Sequence, residues 1–89
     1  MARKVNVLLE DNEGKHFKAK VLGTRNAYDI IEECAASKKL LKYRVYRIDS
    51  KTNTHYEIHG VDVLTQTISD TIPFGDTLYI RRSHFSWCC

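Results

Sequence analysis

Eighty-nine residues, 43% hydrophobic and 28% charged, describe a single domain with one core rather than a disordered chain. No run approaches the roughly 20 apolar residues that a bilayer span requires. The net charge of +3 is unevenly placed, with 11 Lys/Arg against 6 Asp/Glu from Met1 to Arg47 and 3 against 5 from Ile48 to Cys89. This excess comes without a nucleic-acid-binding motif, so the basic half calls for an acidic protein surface rather than nucleic acid.

In chain order, Lys4 to Glu10 alternates with Val5, Val7 and Leu9 on one face, as a half-buried strand requires. Asp11-Asn12-Glu13-Gly14 is turn chemistry, and Gly14 suits a positive φ. His16 to Leu22 alternates again, Phe17, Ala19 and Val21 against His16, Lys18 and Lys20, which predicts an antiparallel hairpin. Asn26 is the expected N-cap of a helix from Ala27 to Lys38 or Lys39, with Asp29 three residues on. Ala27, Ile30, Ile31, Cys34 and Ala35 form its apolar stripe, and Lys38 and Lys39 its basic end.

Lys42 to Asp49 is rich in β-branched and aromatic residues. Its alternation is imperfect, Tyr43 and Val45 suiting one face and Tyr46 and Ile48 the other, so a bulge or a change of cover is expected. A loop over Ser50 to Thr54 leads to a short strand at His55 to His59. Val61 to Asp70 has no clean period and reads as a connection with one short helical turn. Pro73-Phe74-Gly75-Asp76 turns into a last strand, Thr77 to Arg82, where Leu78 and Ile80 alternate with Tyr79 and Arg81.

The result is an α+β order, β-β-α-β-β-β, with one helix packed across a mixed sheet. This order, with the ending I-x-x-G-D-T-L-Y-I (Ile72, Gly75 to Ile80), resembles the ubiquitin-like β-grasp superfold of ubiquitin-like modifiers, Ras-association domains and the first lobe of FERM domains. The resemblance spans about residues 4 to 82. It implies a ubiquitin-like domain at 1-82 and a C-terminal tail at 83-89, and it bears on fold far more than on role.

Several chemistries find no support in the residues. A conjugated modifier ends in Gly-Gly, and this chain has no glycine after Gly75. Cys88-Cys89 resembles the double-cysteine end of some Rab-type GTPases, but no G-x-x-x-x-G-K-[ST] loop accompanies it and the ending is not C-a-a-X. His55, Glu57 and His59 share one side of a strand at about 7 Å intervals, too wide to hold one ion unaided. There is no nucleophile elbow or phosphate loop, and Cys34 lies on the apolar helix stripe. No enzyme activity, metal or cofactor is therefore expected. Three cysteines in this arrangement form no disulfide framework, and the N-terminus lacks a secretory h-region, which makes the cytoplasm the expected location.

Two surfaces remain. Lys18 and Lys20 line the outward face of the second strand, an expected sheet edge, and Arg25, Lys38 and Lys39 would extend that basic side. In the Ras-association domains that the chain resembles, the second strand and helix carry basic residues that meet the acidic switch region of a small GTPase. The resemblance thus implies a partner-binding set of Lys18, Lys20, Arg25, Lys38 and Lys39. The second surface is the outward side of the third and last strands, with Arg44 or Tyr46, Arg47, Tyr79 and Arg81, where Phe85 or Trp87 of the tail could also fold back. The expected function is a non-catalytic interaction module. The alternatives are a scaffold lobe of a FERM-type protein and a modifier relative without its Gly-Gly.

Overall fold

A computed structural model describes residues 3–60 and 62–83, so His84, Phe85, Trp87, Cys88 and Cys89 of the tail lie outside the described residues. The elements are β1 (Lys4–Glu10), β2 (His16–Leu22), α1 (Ala27–Ser37), β3 (Tyr43–Ile48), β4 (His55–Glu57), α2 (Asp62–Thr65), α3 (Ile68–Thr71) and β5 (Thr77–Arg82). They build one sheet in the order β2-β1-β5-β3-β4. β1 and β5 run parallel at its centre, and every other neighbouring pair is antiparallel.

Strand periodicity decides what α1 covers. Val5, Val7 and Leu9 of β1, Val45 of β3 and Leu78 and Ile80 of β5 point to one side, and all are buried. Ala27, Ile30, Ile31 and Ala35 of α1 close over them as the helical stripe requires. Each large side chain buried this way contributes roughly 1.5–3 kcal/mol.

The helix ends are explicit. Asn26 Oδ1 accepts the Asp29 N–H at 3.0 Å, the expected N-cap. At the other end Lys38 is the cap, Lys39 is left-handed at φ 57°, and Leu40 is buried. The Leu40 N–H reaches the Ala35 carbonyl at 2.9 Å and the Lys39 N–H reaches that of Ala36 at 3.1 Å, the paired bonds of a Schellman motif.

Two expectations are refined. β3 pairs with β5 in unbroken register from Tyr43↔Arg82 to Ile48↔Thr77, so no bulge interrupts that ladder. Its mixed pattern reflects a change of cover: Val45 lies under α1, while Tyr46 packs against Tyr79 on the opposite face. The segment before β5 holds two short helices rather than one turn. Ala27 N–H bonds to the Gln66 carbonyl and Ile68 N–H to that of Arg25, which ties this segment to the start of α1 and buries Val63, Ile68 and Ile72.

The GD of the final motif has a structural purpose. Asp76, 7% exposed, accepts the Ser50 N–H at 3.0 Å and Arg47 Nη1 at 2.6 Å. Those donors hold its carboxyl below the ordinary range and fasten the β3–β4 loop to the start of β5.

Candidate docking face

Among the described residues no helix lies over one face of the sheet, and the register fixes what that face presents. Along the first row lie Lys20, Asn6, Thr77, Ile48 and His55, one from each strand in spatial order. The second row is Lys18, Leu8, Tyr79, Tyr46 and Glu57. A third begins with His16 and Glu10 and continues through Arg81 and Arg44.

Tyr79 is the centre of this face. It is only 7% exposed although no helix covers it. Its ring lies 5.8 Å from that of Tyr46, 5.5 Å from His55 and 6.3 Å from His16. The Tyr79 hydroxyl donates to Glu10 Oε1 at 2.8 Å, and His16 Nε2 meets the same oxygen at 2.8 Å. Tyr79 and then His16 hold the Glu10 carboxyl below its usual range. Burial, reinforced by Glu10, pushes the Tyr79 phenol up to about 12.

Beside this lock lies a depression of about 580 Å³. Lys18 and Lys20 stand on one side, Ile48 and Asn53 on the other, and the shorter Asn6 and Thr77 between them. Among the described residues no carboxylate lies within 4 Å of either lysine. Two cations, an apolar flank and amide and hydroxyl groups thus converge on one concave surface.

The five basic residues expected to act together occupy separate places. Lys18 and Lys20 are exposed on β2, which is a sheet edge. Arg25 is ion-paired with Glu33 at the start of α1. Lys38 lies on the helix side with Nζ 3.6 Å from the centroid of the Phe17 ring. Lys39 holds the left-handed turn, and its carbonyl accepts Asn12 Nδ2 at 3.3 Å. Only Lys18 and Lys20 share the open face.

The second expected surface needs one correction. Arg44, Tyr46, Tyr79 and Arg81 share the open face, but Arg47 does not. It pairs with Leu78 on the helix side, reaches Asp76 and lies 4.6 Å from the centroid of the Tyr56 ring. Asn6, Ile48, Asn53 and Thr77 were not among the residues expected to bind, although Thr77 stands in the final motif and Ile48 suits the same face as Tyr46. Strand period two would have placed the first, second and fourth, given the sheet order.

Cys34 is half-buried and burial pushes its thiol up, away from nucleophile chemistry. Among the described residues no three His, Cys, Asp or Glu side chains gather as a metal site, and no helix is long and apolar enough to cross a membrane.

No protein-family model and no curated protein matches the chain. Solved structures do. The ubiquitin-like domain of tubulin-binding cofactor B is 9% identical, with 92% of each chain covered and a TM-score of 0.64. The C-terminal ubiquitin-like domain of mouse tubulin-specific chaperone e is 13% identical, with 96% of this chain and 92% of that chain covered and a TM-score of 0.66. Element order, the parallel β1–β5 centre and these likenesses agree: the chain has the ubiquitin-like β-grasp fold.

Proposed function

We propose that this chain is a non-catalytic protein-interaction module that docks an acidic protein surface on the open face of its sheet. One observation carries the reading: Lys18 and Lys20 flank a concave, partly apolar surface and have no carboxylate of their own within ion-pair distance among the described residues. Complementary charge of this kind steers encounter and fixes orientation. The partner class that the resemblance to Ras-association domains favours is a GTP-loaded small GTPase, met through the β2 edge. Arg25, Lys38 and Lys39 are peripheral to that contact: Arg25 is ion-paired with Glu33, Lys38 lies over the Phe17 ring on the helix side, and Lys39 stands in the turn after α1.

The test is a titration of the chain with a panel of GTP-loaded Ras-family proteins and, because two of its structural neighbours are domains of a tubulin-binding cofactor and a tubulin-specific chaperone, with tubulin dimers. Saturable binding is expected to weaken about tenfold or more in the Lys18→Glu/Lys20→Glu variant, a loss of about 1.4 kcal/mol or more. Lys51→Glu, a charge reversal outside the depression, is the control and should change affinity less than about twofold. Absence of saturable binding across the panel, or equal loss in the control, overturns the reading.

A further inference from the structure

At the end of β5 away from the lysine depression, three segments converge. Ser83 N–H donates to the Lys42 carbonyl at 2.9 Å and Asn12 Nδ2 to that of Lys39 at 3.3 Å, so the turn after α1 stands between the end of β5 and the β1–β2 turn. Its Schellman bonds send Leu40 into the core and the next residue outward. Leu41 is 94% exposed, more than any other large apolar side chain among the described residues. One exposed leucine is ordinary on a protein surface, but its setting is not. Leu41 lines a depression of about 300 Å³ together with Lys39, Lys42 and Arg82, and with no carboxylate. Among the described residues neither Lys39 nor Arg82 has a carboxylate within 4 Å. Asp11 and Glu13 belong to the adjoining hollow beside Lys38, and Asp11 is already held there by the backbone N–H groups of Glu13 and Lys15. Over the three segments, 10–16, 37–43 and 81–83, with Glu32 added because it accepts the Tyr43 hydroxyl, six Lys/Arg stand against four Asp/Glu. This end of the molecule is therefore positive, and cations rather than acids surround the leucine.

We propose that this end of the chain rests on an anionic lipid surface, with Leu41 entering the headgroup boundary and Lys39, Lys42 and Arg82 meeting the negative headgroups around it. Two demands select the occupant. A side chain this exposed and apolar gains from apolar depth beneath it, and a collar of cations beside it gains from negative charge around the point of entry. A bilayer that carries anionic lipids meets both demands at every position and needs no pocket shaped to receive the turn. The sequence continues in keeping: Phe85 and Trp87 follow Ser83 by two and four residues, and aromatic side chains favour the headgroup level. One leucine and a few cations attach a chain reversibly, so binding is weak and falls with salt. This surface is separate from the docking face proposed above. Thr77, which lines the lysine depression, and Arg82 stand at opposite ends of β5, about 16 Å apart, or about two screening lengths at physiological salt. A chain seated on lipid in this way leaves the Lys18 and Lys20 edge open.

The experiment co-sediments the full chain with sucrose-loaded vesicles of phosphatidylcholine, either alone or with about 30% phosphatidylserine, in about 0.15 M sodium chloride. Binding to the phosphatidylserine vesicles is expected to be about tenfold tighter or more. Leu41→Ser keeps every charge and alters a side chain that the core does not use, so it should weaken that binding about threefold or more with the thermal midpoint unchanged. Lys39→Glu/Arg82→Glu and Lys18→Glu/Lys20→Glu carry the same net charge and differ only in place. The first should weaken vesicle binding about tenfold or more and the second less than about twofold. No preference for phosphatidylserine, an unchanged affinity in Leu41→Ser, or equal losses in the two charge-matched variants overturns the lipid surface. A chain that ignores the vesicles but loses an acidic protein partner in Leu41→Ser has a protein at this end instead, which overturns it equally. Vesicle binding that survives in Lys18→Glu/Lys20→Glu, in a chain that binds no protein of the docking panel, refutes the docking reading and upholds the lipid surface.

Discussion

At the scale of single residues, Tyr79 shows how a side chain on an uncovered sheet face becomes structural. Three neighbouring rings and Leu8 hide it, and its hydroxyl is satisfied by Glu10. Burial and Glu10 push its phenol up to about 12, above the ordinary tyrosine range near 10, and a near-ultraviolet absorbance titration of wild type against Tyr79→Phe reads the loss of that late-ionising phenol. Tyr79→Phe removes the donor and should cost about 1 kcal/mol at neutral pH. The cost depends on pH in a stated direction. Glu10 has its folded pKa lowered, so its contribution is full above the ordinary carboxylate range and disappears as pH falls through the folded value. Urea midpoints of the wild type and Tyr79→Phe should therefore differ most near neutral pH and converge as pH falls below the ordinary carboxylate range. A constant difference across that window would mean that the hydroxyl is not bonded to an ionised Glu10.

At the scale of elements, the end of α1 combines a stabilising motif with an unsuited residue. The Schellman bonds require a left-handed residue at Lys39, where a Cβ is strained. Lys39→Gly should stabilise the chain by about 0.5–1 kcal/mol, a rise of several degrees in the thermal midpoint. No gain would place the helix end elsewhere. The helix and the first hairpin were legible in the sequence because their signals are local: one capping residue, one apolar stripe, two clean alternations. The segment from Asp62 to Thr71 was not, because Val63, Ile68 and Ile72 are buried by contacts with α1 and the sheet rather than by a period of their own. β3 misled for a similar reason. Both of its faces are covered, one by α1 and one by Tyr79, so the contrast between its two sides fades.

At the scale of the whole molecule, the open face and the sheet edges are one problem. Lys18 and Lys20 were readable as an outward pair, but the depression that they flank arises only when β1 and β5 set Asn6 and Thr77 beside them, and that adjacency is long-range. The same adjacency separates the sheet into two unequal edges. β4 is three residues long, too short to template another strand well, whereas β2 offers seven. Antiparallel pairing of two copies through β2, centred on Ala19, would set Lys18 of each against Lys20 of the other, and like charges directly opposite are destabilising. The lysines thus disfavour a second copy on this edge while leaving it open to the acidic surface proposed above. Lys18→Val/Lys20→Val removes the repulsion, raises strand propensity and joins the apolar surface of Leu8 and Ile48. In sedimentation velocity the wild type should remain monomeric and this variant should form concentration-dependent dimers or larger species. Lys18→Glu/Lys20→Glu, which restores like charge with the opposite sign, should return the chain to monomer. A monomeric valine variant would mean that something other than charge protects the β2 edge, and the proposed docking would then be the one role argued for the lysines.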